Sequence, residues 1–394
     1  MGAEAWKILG FFGPAPGHGA SLWRFQALRE AGDRKKRAEN PARENNKNTE
    51  NKDSNLMTKQ WIRACAFGAG LMAAAGAAQA KQVVCVFDLV GKSGDVYALM
   101  KDYQLAAKNW GADIELRVGQ NEAVIAEDFK AGKCDGISVT GMRGRQFNTF
   151  IGSLDAIGAI PDLNLAVKVM QGLASPAFAK SMLKGRYEVA GVVPVGDAYL
   201  LVNDRSINSV AKAAGKKIAV LDYDEAQKIM VQQVGAQAVS ADVTNFGAKF
   251  NNGQVDIIGA PAAVFKPLEL HKGLGAKGAI VNYPILQVTG NIIIHSDKFP
   301  AGYGQKSREW VKGQLPRAFN ILGKMKSDIP QKYWMDVPAA DKPGYQKMMR
   351  EARIDLTRRG VYEKRMMKLL WQFRCRQEPK NFECALQDEN YKQS

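Results

Sequence analysis

A pattern of four parts that occurs twice restricts the fold of this chain more than any other feature of its sequence. Each copy has an apolar run ending in aspartate, a helical pattern, the dipeptide Gly-Ala, and the motif F-x-x-G-x-x-D ahead of a second apolar run. These parts lie at 83–88, 96–110, 111–112 and 129–135 in the first copy, and at 217–222, 225–234, 235–236 and 250–256 in the second. A glycine that ends a helix before an apolar run is typical of a chain re-entering a parallel sheet. The repeat therefore predicts an α/β fold with two βαβ lobes.

Two apolar segments are predicted to connect the lobes as hinge strands. The segment 187–202 would cross from the first lobe to the second, and 287–295 would cross back. Ligands favour the cleft between lobes joined in this way. We predict lobe 1 over 81–190, lobe 2 over 191–289, a return hinge strand over 290–303, and C-terminal helices packing across the lobes over 304–394. The helices are indicated by apolar residues that recur every three to four positions in this last segment.

The N-terminal region has the composition of processing sequence. Residues 1–56 contain a long tract of Arg, Lys, Glu and Asn and are predicted to be disordered. They are either upstream sequence read into the gene model or a genuine extension. Residues 57–80 combine a basic start, a short apolar run and Ala78-Gln79-Ala80, the three parts of a secretory signal peptide. We expect cleavage after Ala80, a mature chain that begins at Lys81, and a periplasmic location.

Four of the five cysteines follow the predicted cleavage site, and an even number in an exported chain suggests disulfides. Cys375 and Cys384 would close a short loop. Cys85 and Cys134 lie on predicted strands that neighbour each other in lobe 1. Both bonds are therefore predicted.

Nine candidate ligand-binding residues follow the predicted strands, because open α/β sheets bind ligands at the carboxyl ends of their strands. They are Asp88, Lys92, Ser93, Thr140, Arg143, Arg145, Asp222, Tyr223 and Pro261. The glycine-rich loop 88–95 opens a helix, where free amides attract anions, although an ordinary solvated turn is the alternative. Nucleotide binding is rejected there, because Val86 occupies the position of the first P-loop glycine.

Arg143 and Arg145 are the candidate cations for an anionic ligand. They lie two residues apart among glycines, and Arg145 is favoured because Gly144 leaves it free to turn into the cleft. The alternative is that both are solvated or paired with acids. The net charge of +16 also suits an anionic ligand.

Catalytic and metal-binding patterns are not found in the sequence after residue 80. His271 and His295 have no Cys or carboxylate at metal-ligand spacing, and no nucleophile motif is complete. We therefore predict no enzymatic activity, no cofactor and no metal. The basic stretch 347–376 is either a solvated helix face or a docking surface for a membrane partner.

From Val83 to about Phe299 the sequence resembles the periplasmic solute-binding subunits of tripartite ATP-independent (TRAP) transporters. The most similar stretches are 215–220, 227–235, 250–259 and 290–299. The resemblance implies a type II periplasmic binding protein fold, no cofactor, and capture of an organic anion, usually a carboxylate, for integral-membrane transporter subunits. TRAP subunits carry an arginine in a lobe 2 strand, K-I-x-V, which clamps the ligand carboxylate. That position is Ala219 here, so another cation or a different ligand is expected.

A second resemblance is to AdeT-type chains, which are described as resistance-nodulation-division (RND) efflux components for aminoglycosides. It implies an alternative function as a periplasmic accessory of RND-type multidrug efflux. A pump of that class needs many membrane spans, and no segment after residue 80 reaches 18 uninterrupted apolar residues. We therefore predict a monomeric periplasmic solute-binding protein that captures a small organic, anionic solute and has no nucleic-acid partner.

Overall fold

The computed structural model describes residues 81–391. The predictions made for residues 1–56, for the signal peptide 57–80 and for cleavage after Ala80 lie outside these residues. The strands are β1 (Gln82–Phe87), β2 (Ile114–Gly119), β3 (Gly136–Thr140), β4 (Leu183–Lys184), β5 (Tyr187–Val202), β6 (Lys217–Leu221), β7 (Gln237–Ala241), β8 (Ile257–Pro261), β9 (Ala279–Val281), β10 (Leu286–His295) and β11 (Trp334–Met335).

Helices fill the connections between these strands and most of the chain after β10. They are α1 (Asp95–Lys108), α2 (Glu122–Lys130), α3 (Gly141–Gly144), α4 (Thr149–Gly152), α5 (Leu163–Leu173), α6 (Ala179–Met182), α7 (Glu225–Gln233), α8 (Phe246–Asn251), α9 (His271–Leu274), α10 (Tyr303–Ser327), α11 (Lys342–Arg358), α12 (Lys364–Gln377) and α13 (Phe382–Leu386). No helix in the range 81–391 is both long and apolar enough to cross a membrane.

The main strands form one mixed sheet in the order β2-β1-β3-β10-β5-β8-β6-β7. Strands β1, β2 and β3 are parallel to one another, and β6 is parallel to both β7 and β8. Between these two groups lie β5 and β10, which pair with each other in antiparallel fashion. Strand β10 also pairs with β3, and β5 pairs with β8. This is the predicted α/β architecture of two βαβ lobes connected by hinge strands, and β5 has the predicted bounds.

The repeated motif performs the same structural task in both lobes. Its glycine has a positive φ, +74° in the first copy and +69° in the second, and follows the end of the preceding helix. Its aspartate then holds the incoming strand against the first strand of the lobe. The carboxylate of Asp135 accepts a hydrogen bond from the Val83 amide, and that of Asp256 accepts one from the Lys217 amide, both at 2.8 Å.

The C-terminal helices contact both lobes. Helix α10 packs on β5 and α5, α11 packs on α7, and α12 packs on α4 and α5. Between α7 and α11 the Gln233 amide donates a hydrogen bond to the Asp355 carboxylate at 2.9 Å. At the start of α12, the backbone amide of Glu363 donates to the Ser153 hydroxyl at 2.8 Å. The lobe boundaries at residues 190 and 289 stay a prediction.

Both predicted disulfides form. Cys85 and Cys134 have Cα atoms 5.9 Å apart, and Cys375 and Cys384 have Cα atoms 5.6 Å apart. One detail of the prediction was wrong, since Cys134 lies in the turn before β3 and not on a strand. The first bond links β1 to that turn because β1 and β3 are neighbours in the sheet.

Two arginines of the basic stretch 347–376 lie in the protein interior. Arg353 donates to the carboxylates of Glu389 and Glu383, at 2.9 and 2.7 Å. Arg374 donates to the same Glu389 carboxylate at 2.6 Å. Neither a solvated helix face nor a docking surface describes these two side chains, because buried carboxylates from the segment around α13 pair with them.

Candidate functional site

An apolar cavity of about 490 Å³ lies between the two lobes. Its wall includes the ends of β1 and β3 from lobe 1, strands β6 and β8 from lobe 2, and parts of both hinge strands. Val195, Ala219 and Val288 line it from β5, β6 and β10, and Val243 lines it from the loop after β7. The cavity therefore occupies the interlobe position predicted for the ligand.

A smaller polar cavity of about 310 Å³ adjoins the apolar cavity, and Val243 lines both. Lobe 1 contributes the beginning of α2 and Arg143, whereas lobe 2 contributes the loops after β6 and β7. Its polar lining residues are Asn121, Glu122, Arg143, Asp222, Tyr223, Asp242 and Thr244. Side chains of both lobes thus form one polar wall.

Glu122 is the fully buried centre of this polar wall. One carboxylate oxygen accepts a hydrogen bond from the Thr140 amide at 2.6 Å, and the other accepts one from the Tyr223 hydroxyl at 3.1 Å. Burial raises the pKa of Glu122, although the Thr140 amide and the Arg143 charge oppose the rise. The hydrogen bond from Tyr223 crosses from lobe 2 to lobe 1.

Arg143 lies against the same group. Its guanidinium carbon is 3.4 Å from the centroid of the Tyr223 ring, a cation–π contact between the lobes. Its Nε forms an ion pair with a Glu122 oxygen at 3.6 Å, which is too long for a hydrogen bond, and this buried Nε has no hydrogen-bond partner among residues 81–391. Arg143 therefore lines the polar cavity and is ion-paired with the buried Glu122 carboxylate, although its Nε makes no hydrogen bond.

Arg145 is engaged differently. Its guanidinium pairs with the Asp224 carboxylate of lobe 2 at 2.8 Å, and its Nε donates to the Gly152 carbonyl at 2.9 Å. Asp224 also caps α7 by accepting from the Ala226 amide at 3.1 Å. Arg145 lines neither cavity, so the expectation that Gly144 frees it to turn into the cleft was wrong.

A second buried carboxylate lies beneath the hinge. Asp155 accepts hydrogen bonds from the Thr289 hydroxyl at 2.5 Å and from the Thr289 amide at 3.3 Å, in the middle of β10. Burial raises the pKa of Asp155 to about 7, while these hydrogen bonds and the charge of Arg145 oppose the rise. The hinge strand β10 is thus hydrogen-bonded to a buried carboxyl group whose pKa is raised by its burial.

The glycine-rich loop after β1 does not hold its amides free. The carboxylate of Asp88 accepts hydrogen bonds from the Val90 amide at 3.0 Å and from the Tyr97 amide, in the first turn of α1, at 3.1 Å. The anion at this helix N-terminus is therefore the protein's own carboxylate. Lys92 and Ser93 are exposed and line neither cavity.

Comparisons with known proteins place this architecture in a family. The family described as "Solute-binding protein AdeT 1/2" matches residues 104–389. The chain is 59% identical, over 304 residues, to the "Probable solute-binding protein AdeT1" of Acinetobacter baumannii, covering all of that protein and 77% of this chain. The chain belongs to the AdeT 1/2 solute-binding protein family. AdeT2 of the same organism is a more distant relative, 32% identical over 236 residues, which are 99% of that protein and 60% of this chain.

Solved structures similar to this member of the AdeT 1/2 family are TRAP periplasmic solute-binding proteins. One from Desulfovibrio salexigens, with bound orotic acid, has a TM-score of 0.59 and 16% identity, over 75% of this chain and 98% of that one. Another, from a Sulfitobacter species with bound β-D-galacturonate, has a TM-score of 0.61 and 13% identity, over 75% and 99% of the two chains. These likenesses confirm the predicted type II periplasmic binding protein fold.

The structure brings six of the nine predicted ligand residues to the two cavities of this AdeT 1/2 family member. Asp88, Thr140 and Pro261 line the apolar cavity, and Arg143, Asp222 and Tyr223 line the polar one. The sequence analysis missed the polar-cavity residues that follow β2 and β7, Glu122 and Asp242 among them. The repeat could have indicated them, because it makes β2 and β7 equivalent. The residues that follow these two strands are then both expected at the edge of the cleft.

Proposed function

We propose that this chain is exported, matures at Lys81, and captures a small organic anion in the periplasm as a monomer. It then delivers the solute to integral-membrane transporter subunits without changing it chemically. Membership of a solute-binding protein family supports the capture step. The signal-peptide pattern of residues 57–80 supports export.

The observation that carries the proposal is the polar wall built by both lobes. Arg143 of lobe 1 stacks on Tyr223 of lobe 2, and Tyr223 in turn donates to Glu122 of lobe 1. A solute in this wall would contact both lobes at once and would favour the arrangement in which they are close together. Such differential contact is what a binding protein needs in order to close on its ligand.

Arg143 is the residue that we propose for the anion. The ligands named for the two solved structures, orotic acid and galacturonate, both carry a carboxylate. In this chain the Arg143 Nε makes no hydrogen bond and lies 3.6 Å from the Glu122 carboxylate, so a carboxylate that enters the polar cavity would compete with Glu122 for Arg143 without breaking a hydrogen bond of that Nε. Arg145, by contrast, would have to leave Asp224.

Native mass spectrometry of protein purified from periplasm tests the proposal directly. We expect a co-purifying organic anion, and N-terminal sequencing is expected to start at Lys81. Changing Arg143→Gln should weaken binding of that solute roughly ten- to hundredfold, because a charge-assisted hydrogen bond contributes about 1.5–3 kcal/mol. Arg117→Gln is the matched control, since Arg117 is half exposed and lines neither cavity.

Two results would contradict the proposal. If a folded Arg143→Gln variant binds the co-purified solute with unchanged affinity, Arg143 does not bind the anion. Binding of an aminoglycoside polycation, together with failure to bind any organic anion, would favour the efflux accessory instead.

A further inference from the structure

Among residues 81–391, no positively charged side chain lies in the interior of the apolar cavity. Four charged side chains line it among the residues that the structure describes, namely Asp88, Asp95, Asp102 and Arg317. Asp95, Asp102 and Arg317 are exposed, and Arg317 donates to Asp102 at 3.3 Å. Asp88 is buried but accepts two backbone hydrogen bonds. An anionic group placed deep in this cavity would therefore lose its water without meeting a positive charge.

Two uncharged polar side chains of the lining, Gln227 and Thr140, are engaged in contacts within the protein. The Gln227 side chain accepts from the Leu221 amide at 2.9 Å and donates to the Met142 sulfur at 3.3 Å. The Thr140 hydroxyl accepts from the Arg143 amide at 3.2 Å. Hydroxyl groups of a solute placed beside Gln227 or Thr140 would have to displace these contacts or stay unpaired, which is unfavourable in a desolvated site.

A hydrocarbon group of a solute, in contrast, matches the apolar lining of this cavity. Val195, Ala219, Val288 and Leu322 present aliphatic surface from both hinge strands, lobe 2 and α10. The volume of about 490 Å³ lies in the range of small-molecule sites, which are mostly apolar with a few placed polar groups. Val243 is the point where this cavity meets the polar one that holds Arg143.

We propose that the solute is an amphipathic monocarboxylate, whose hydrocarbon body fills the apolar cavity while its carboxylate reaches Arg143 past Val243. This inference rests on the proposed function and narrows its solute class. Sugar acids and dicarboxylates are disfavoured, because their hydroxyls or second carboxylate would occupy the apolar cavity.

Isothermal titration calorimetry with three six-carbon acids tests the inference on the wild-type chain. Hexanoate, adipate and D-gluconate share a chain length and one carboxylate, but adipate adds a second carboxylate and gluconate adds five hydroxyls. We expect hexanoate to bind at least tenfold more tightly than either. Across butanoate, hexanoate and octanoate, the Kd should fall about fourfold per added methylene, which is the effect of burying each CH₂.

A pair of isosteric variants locates the apolar contact. Val243→Thr replaces one methyl group by a hydroxyl in the wall shared by the two cavities, and should weaken hexanoate binding about tenfold. Val124→Thr makes the same change on the exposed face of α2 and should leave hexanoate affinity unchanged. Thermal melting of both variants checks that they are folded.

The outcomes separate this inference from the function on which it rests. Gluconate or adipate binding as tightly as hexanoate would overturn the amphipathic solute and leave solute capture intact. A co-purified solute that is rich in hydroxyls, or that lacks a carboxylate, would overturn it as well. If none of the acids binds and no solute co-purifies, solute capture itself fails.

Discussion

The interlobe ion pair between Arg145 and Asp224 gives a quantitative test of the structure. The two side chains are 13% and 3% exposed, and their charged atoms are 2.8 Å apart. Removing one partner of such a pair leaves a desolvated charge, which costs about 3–5 kcal/mol of unfolding free energy. Both Arg145→Met and Asp224→Asn should therefore lower stability by about that amount.

The two substitutions are chosen to isolate the charge. Asn is as good as Asp at the first position of a helix, so Asp224→Asn preserves the cap that α7 receives. Met preserves much of the apolar stem of Arg145. In the double variant no charge is left unpaired, and its loss should be smaller than the sum of the two single losses. We expect a coupling free energy of about 2–3 kcal/mol.

Urea denaturation of the four proteins measures this coupling, with the dependence on urea compared to confirm that the unfolded states are alike. The exposed pair Arg117 and Glu115, also at 2.8 Å, is the control, and its coupling should stay below about 1 kcal/mol. Additive losses in the buried pair would refute the reasoning, because they would mean that Arg145 and Asp224 do not depend on each other in the folded chain.

Two further predictions concern pH and the disulfides. The pKa of Asp155, raised to about 7 by burial, means that the folded chain keeps a proton which the unfolded chain releases above about pH 4. The contribution of Asp155 to stability should therefore fall as pH rises from about 4 to 7, and Asp155→Asn should remove that contribution in denaturation measured at several pH values. Replacing Cys85 and Cys134 by Ala should cost about 4 kcal/mol, and replacing Cys375 and Cys384 about 2.6 kcal/mol, because the first bond spans 49 residues and the second 9. Equal losses in the two double variants, measured by urea denaturation, would contradict the loop-length argument.

The parts of the fold that the sequence predicts are those set by short-range chemistry. The helix-ending glycines and strand-holding aspartates of the repeat, such as Asp135 and Asp256, lie at fixed spacing from the strands that they position. The apolar run 187–202 predicts β5 because a strand buried on both faces has few polar positions.

The candidate site was less predictable because its contacts are distant along the chain. Arg145 meets Asp224 across 79 residues, and Tyr223 meets Glu122 across 101. Glycines around Arg145 indicate freedom of the backbone, but they carry no information about which acid lies opposite. Likewise the basic stretch 347–376 shows no sign in the sequence that Arg353 is buried, because its partner Glu389 follows 36 residues later.

Because the two lobes share one sheet, they cannot be separated without breaking the pairing between strands. Strand β8 of lobe 2 has β5 as its neighbour on one side, and β3 of lobe 1 has β10. A fragment carrying either lobe without these strands would present an unpaired row of amides and carbonyls at a new edge, which invites association with other chains. Expressing one lobe alone, or recombining lobes from different proteins, would thus replace an internal strand pairing by an exposed sheet edge that can associate with other chains.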